Sequence, residues 1–132
     1  MRAMDCLADT VTVIRHFSEA GKIGRRAYEL ISGVERGEHH CYVSTISLVE
    51  ILYLSEKNRI PIRLGEALEK LNKSENYSIV DLTPEIVGVA ERIIFPDIFD
   101  RLIMATAQYL GIPVLTSDKD IASKNVVETI WK

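Results

Sequence analysis

Four acidic residues, Asp9, Glu50, Asp100 and Asp118, are placed where carboxylates could act together. Glu50 is the most telling. It lies in "SLVEILYL", and its neighbours three and four positions away are Ile46, Ser47, Tyr53 and Leu54. A helix through this stretch puts the acid on an oily face with no Lys or Arg beside it. An unpaired buried carboxylate is costly unless it is protonated or finds a partner. Asp100 opens a helical face that continues with Ile103, Met104 and Ala107, and Asp9 and Asp118 each follow an apolar run. Acids gathered at one place repel: two like charges about 4 Å apart, at an effective dielectric of about 20, cost roughly 4 kcal/mol. Such a cluster requires cations, and oxygen-only donors select hard ions such as magnesium or manganese. A water bound to such an ion is a better nucleophile, and the ion also stabilises charge on a phosphodiester. Each acid has a plain alternative. Asp9 can cap a helix and Asp118 can be a loop acid. Asp97 can cap a helix with an acid three residues later and pair with Arg101, and Ser117 can cap a turn through Asp120.

The elements that would position these residues can be read from periodicity and caps. Apolar runs at 4–9, 41–44, 77–82, 113–118 and 126–131 are expected strands. Helices are expected in "TVTVIRHFSE", in "IGRRAYELISGVERG" closed by Gly37, and in "STISLVEILYLSEKN" capped by Ser44 or Thr45. "PIRLGEALEKLNKS" follows, with Pro61 in its first turn and a stripe of Leu64, Leu68 and Leu71. "TPEIVGVAERIIF" comes next, with Thr83 as cap and Pro84 at the first helical position. Pro96 interrupts, and another helix is expected from about Asp97 to Leu110, stopped by Gly111. Strands alternating with helices predict an α/β domain with a mostly parallel sheet covered on both sides. In such a sheet ligands bind beyond the carboxyl ends of the strands, where Asp9 and Asp118 end theirs and where the helix led by Asp100 must start.

The chain's 132 residues suit a single domain. With 47% apolar and 27% charged residues it has a globular composition, and a net charge of −3 provides no global basic field for nucleic acid. No apolar run is long enough for a bilayer, no secretory leader is evident, and a cytoplasmic location is the expectation. Cys6 and Cys41 lie apart in apolar stretches and are expected to be buried reduced thiols. Dinucleotide and P-loop signatures are missing, as is a serine-hydrolase elbow. "EHHC" at 38–41 reads as a turn feeding a strand, and His16 as structural or partly exposed. Arg25, Arg26 and "SEKNRIPIR" read as solvated surface.

With "LADTVTVIRHF", "YVSTISLVEILYL" and "PDIFDRLIMATAQYLGIPVLTSDKDI" in this order, the chain resembles the PIN-domain ribonucleases, specifically the small VapC-like toxins. The likeness runs along the whole chain. The last block is the most specific, with an Asp opening "LIMATA" followed by "VLTSD". The resemblance implies a three-layer α/β/α sandwich with a mostly parallel sheet of about five strands. It also implies a magnesium- or manganese-dependent site and endonucleolytic RNA cleavage. The family's acids fall on Asp9, Glu50, Asp100 and Asp118, the assisting acid on Asp120 and the supporting hydroxyl on Thr116. Where the family commonly has Ser or Asn after the opening Asp-Thr, this chain has Val11, so a supporting hydrogen bond is either lost or shifted to Thr10 or Thr12. The resemblance further implies an antitoxin that covers the site, and a homodimer.

The expectation is therefore a metal-dependent ribonuclease. Asp9, Asp100 and Asp118 are metal ligands, and Glu50 is a ligand or orients the attacking water. Arg15, Arg101 and Lys119 are candidates for phosphate contact. One alternative is a catalytically inactive PIN-like module that binds RNA or protein. The other is a receiver domain phosphorylated on Asp81, with Lys119 nearby.

Overall fold

The computed structural model describes residues 2–132. Five strands, β1 (Asp5–Ala8), β2 (His40–Ser44), β3 (Tyr77–Val80), β4 (Val114–Leu115) and β5 (Thr129–Ile130), form one sheet. All pair in parallel, in the order β3-β2-β1-β4-β5. Seven helices connect them: α1 (Thr10–Ser18), α2 (Arg25–Glu35), α3 (Thr45–Glu56), α4 (Leu64–Asn72), α5 (Pro84–Glu91), α6 (Ile98–Leu110) and α7 (Lys119–Lys124).

Successive strand residues point to opposite faces, and each face has its own core. Cys6, Ala8, Cys41, Val43, Leu115 and Ile130 pack with Ile14, Leu30, Ile51 and Leu71 from α1 to α4. Leu7 and Val114 pack with Ile86, Ile103, Met104 and Ile121 from α5, α6 and α7. This is the expected three-layer α/β/α sandwich. Both cysteines are free and buried, paired across β1 and β2. No helix among the described residues is long and apolar enough to cross a membrane.

Most helix starts follow their caps. Ser44 caps α3, Thr83 caps α5 with Pro84 following it, and Gly111, at φ 69°, closes α6. Three expectations change. α4 begins at Leu64 rather than near Pro61, because Glu66 reaches back to the Arg63 N–H at 3.1 Å and sets the first turn there. The strands at 77–82, 113–118 and 126–131 shorten to four, two and two residues. The third change is α7, an added helix that uses the backbone after β4. Two glycines are required by close approach: a Cβ on Gly24 would meet the Trp131 carbonyl oxygen at 2.2 Å, and one on Gly33 the His39 ring at 2.3 Å. His39 is buried and accepts the Met4 N–H through Nδ1, and His40 begins β2, so "EHHC" does feed a strand.

Candidate active site

The strand order reverses between β1 and β4. From β1 the chain builds toward β2 and β3 on one side and later returns to add β4 and β5 on the other. A crevice opens beyond the carboxyl ends of strands at such a point. Asp9 directly follows β1, and its N–H donates to the Leu115 carbonyl of β4 at 3.1 Å. Asp118 lies just past β4 and caps α7, its Oδ1 accepting the N–H groups of Asp120 at 2.8 Å and Ile121 at 3.0 Å. Asp97 caps α6, accepting the Asp100 N–H at 3.0 Å. The helix starts of α1, α6 and α7 thus carry Asp9, Asp97 with Asp100, and Asp118, where the positive ends of the helix dipoles favour anions. The cap readings and the cluster reading describe the same side chains.

Hydroxyls organise two of the acids. Asp9 is buried, and its Oδ1 accepts the Thr12 N–H at 2.9 Å and the Thr12 hydroxyl at 2.6 Å. That hydroxyl is also 2.9 Å from the Leu115 carbonyl oxygen, which ties α1 to β4. Thr116 stands between two acids: its Oγ1 accepts the Asp118 N–H at 3.0 Å, and its hydroxyl lies beside the Asp9 carboxylate. The partner of Glu50 is not a cation. Thr10, from α1, donates its hydroxyl to Glu50 Oε1 at 2.6 Å. Val11 is exposed at 42%, and the α1 hydroxyls bonded to the acids are those of Thr10 and Thr12.

The acids influence one another. Burial pushes Asp9 above the usual carboxylate range against the pull of the Thr116 and Thr12 hydroxyls and the Thr12 N–H, and the Asp118 charge adds to the rise. Burial also raises Glu50; the Thr10 hydroxyl opposes this, while Asp97 and Asp9 reinforce it. Asp100 is pushed up to about 7, first by burial and then by the charges of Asp97, Asp118, Glu50 and Asp9. Among the described residues it accepts no hydrogen bond from the protein to hold its anion. Asp100 therefore registers all the other acids at once, and the rim of the sheet is one electrostatic unit. Asp97, read from sequence only as a cap, belongs to it as a fifth carboxylate. Its spacing of one helical turn from Asp100 was the available signal.

The candidate phosphate contacts separate. Lys119 is exposed at the first position of α7, next to Asp118. Arg15 lies six residues along α1 from Asp9, about 9 Å at the usual helical rise, and its Nη1 donates to the Lys22 carbonyl at 2.9 Å. Arg101 does not form the expected pair with Asp97. Its Nη2 donates to the Ala90 carbonyl at the end of α5 at 2.8 Å, and its Nε is buried without a partner. That carbonyl also accepts the Ile93 N–H at 3.1 Å, so Arg101 adds a second donor at the end of α5. Asp120 is exposed in the first turn of α7, and Asp81 is exposed after the edge strand β3.

No three His, Cys, Asp or Glu side chains among the described residues converge closely enough to hold an ion as they stand. The acids are near enough to raise one another's pKa and more widely spaced than a coordination shell. The donor set itself fits a hard divalent ion: it is all oxygen, it lies at a sheet's ligand-binding edge, and its most strongly shifted member has no protein donor.

The chain belongs to the PIN domain family, whose model matches residues 6–126. No curated protein matches the sequence at a significant level. Solved structures share the fold at low identity. A chain of VapBC2 from Rickettsia felis, bound to a DNA fragment from its promoter, aligns with a TM-score of 0.70 at 13% identity, covering 98% of this chain and 100% of that one. A chain of DNA-bound VapBC from Salmonella typhimurium aligns with a TM-score of 0.66 at 14% identity, covering 96% and 97%. A chain of a toxin-antitoxin complex from Klebsiella pneumoniae aligns with a TM-score of 0.60 at 20% identity, covering 95% of each.

Proposed function

We propose that this protein is a divalent-metal-dependent endoribonuclease that hydrolyses RNA phosphodiester bonds, and that it is the toxin of a toxin–antitoxin pair. The observation carrying the reading is Asp100, half-buried without a protein donor on the rim where this fold places ligands and pushed up to about 7 by that burial and by the charges of four other acids. Asp9, Asp100 and Asp118 hold Mg2+ or Mn2+, with Glu50 or Asp120 able to complete the donor set. When bound, the ion supplies an activated water and draws charge from the phosphodiester. Asp100 would hold such an ion as the deprotonated carboxylate. Thr10 holds Oε1 of Glu50, which would fix the orientation this carboxylate offers to an ion or to the attacking water. Thr12 and Thr116 hold Asp9, and Lys119, exposed next to Asp118, is the proposed phosphate contact.

The partner reading draws on the complexes whose chains share this fold. It also draws on apolar side chains exposed near the acids, Val11 and Ile98, and on the outer face of α3, where Val49, Leu52 and Tyr53 are exposed. Apolar groups of this kind suit a covering protein. In this reading an antitoxin covers the rim, the chain pairs with a second copy, and both act in the cytoplasm. The test is cleavage of transfer and ribosomal RNA with Mg2+, Mn2+ or chelator, by the wild type and Asp100→Asn. Metal-dependent cleavage lost in the folded variant is the expected result, and undiminished cleavage by the variant excludes this site. Metal binding with no cleavage of any RNA would favour the inactive module, for which the exposed Val11 beside Asp9 is the motivating observation.

A further inference from the structure

We infer that Ser47 is a positioning residue that fixes the Thr10 hydroxyl proton on Glu50. The inference concerns the site proposed above, and its purpose there rests on the nuclease reading. Ser47 is fully buried in α3, one turn before Glu50 and on the same side of the helix. Its Oγ is 2.9 Å from Thr10 Oγ1, and among the described residues its hydroxyl has no other hydrogen-bond partner. A buried hydroxyl among apolar side chains is costly unless it is used.

The proton count decides the direction. Thr10 has one hydroxyl proton and two near neighbours, Glu50 Oε1 at 2.6 Å and Ser47 Oγ at 2.9 Å. The shorter distance is that of a charge-assisted bond to a carboxylate, and the longer is that of a bond between neutral hydroxyls. Thr10 therefore donates to Glu50, and Ser47 donates to Thr10. The Ser47 proton occupies the side of Thr10 Oγ1 away from the carboxylate and holds the Thr10 proton on Glu50. Helix α3 thus supplies both the acid and the group that orients its donor, while α1 supplies the donor beside Asp9. Without Ser47 the Thr10 hydroxyl can rotate, and Glu50 loses a fixed orientation rather than its charge.

The test is a double-variant cycle of Ser47→Ala and Thr10→Val, read in three ways. In urea unfolding, the loss caused by Ser47→Ala is expected to shrink to a third or less in the Thr10→Val background, because groups sharing one network are not additive. Equal losses in both backgrounds would overturn the relay. In RNA cleavage, Ser47→Ala is expected to lower kcat by on the order of tenfold, the range for groups that orient a metal site. KM should stay within about twofold, Ser47→Thr should restore most of the rate, and Thr10→Val with Ser47→Ala should be no slower than Thr10→Val alone. Additive rate losses, or no rescue by a folded Ser47→Thr, would overturn the positioning role. Mn2+ titration followed by the free-ion electron paramagnetic resonance signal keeps the two readings apart. If the wild type neither binds Mn2+ nor cleaves RNA, the nuclease reading fails, and the relay is decided by the unfolding cycle alone.

Discussion

Helix α1 has a carboxylate network at each end, and the two are in opposite states. At its start, Asp9, Glu50 and Asp100 are raised by burial and by the charges of neighbouring acids on the rim. Near its end, His16 Nε2 lies 3.1 Å from Glu35 Oε2, and Tyr77 donates its hydroxyl to the same oxygen. Burial pushes Glu35 up, but the bonds from Tyr77 and His16 and the charges of His16 and Lys70 outweigh it and leave Glu35 below the usual range. One acid with two donors is satisfied by the protein, and the network joins α1, α2 and β3. Several acids facing one another with too few donors are not satisfied. That deficit is what a structural site avoids and what a metal site needs.

The largest expected effect that tests this contrast is on activity. Asp100→Asn should lower metal-dependent cleavage by more than about a hundredfold, beyond what orienting groups alone usually cost. The same change removes a repelling charge and should raise the thermal midpoint of the metal-free protein, measured by calorimetry. A variant that lost stability and kept activity would place Asp100 with the structural acids. Next, Mg2+ should raise the midpoint of the wild type progressively with the logarithm of its concentration above Kd and leave Asp100→Asn unmoved. Tyr77→Phe should act in reverse. It should cost about 1 kcal/mol in urea unfolding, a modest value because Glu35 is half-exposed, and change cleavage by less than about twofold.

The smallest effect is on pH dependence. Asp100 binds its proton more tightly folded, with a pKa of about 7, than unfolded, near 3.8. Its contribution to stability is therefore complete below the unfolded value and is lost as pH rises through about 7. Glu35 has the opposite sign: its contribution is present above 4.5 and lost as pH falls through its lowered folded value. Metal-free wild type should thus gain stability relative to Asp100→Asn when pH is lowered from about 7.5 to about 5.5. Equal pH dependence in the two proteins would remove the shared field from the rim.

Much of the fold was legible because its signals are local. Ser44, Thr83 and Asp97 cap helices within three residues of themselves, and Gly111 ends α6 at a single left-handed residue. Alternating strands and helices sufficed for the layered parallel architecture. The short strands were overestimated because Val114–Leu115 and Thr129–Ile130 pair for only two residues each, and apolar flanks extend the pattern past the pairing. Helix α7 was missed because its six residues carry a single buried apolar side chain, Ile121, too few for a periodicity. Arg101 was assigned to Asp97 by helical spacing, but α5, packed against α6, offered it a carbonyl instead.

What the sequence by itself determined was the kind of chemistry available: acids at the ends of apolar runs, an acid on an oily helix face, and hydroxyls near each. Helix periodicity and caps act over three or four residues, so they survive being read one segment at a time. Only the tertiary structure decided which acids share a field, that the partner of Glu50 is Thr10, and that Ser47 stands behind Thr10. Coulomb energies and hydrogen bonds depend on distance through space, and that distance is set by a strand order that local patterns do not encode.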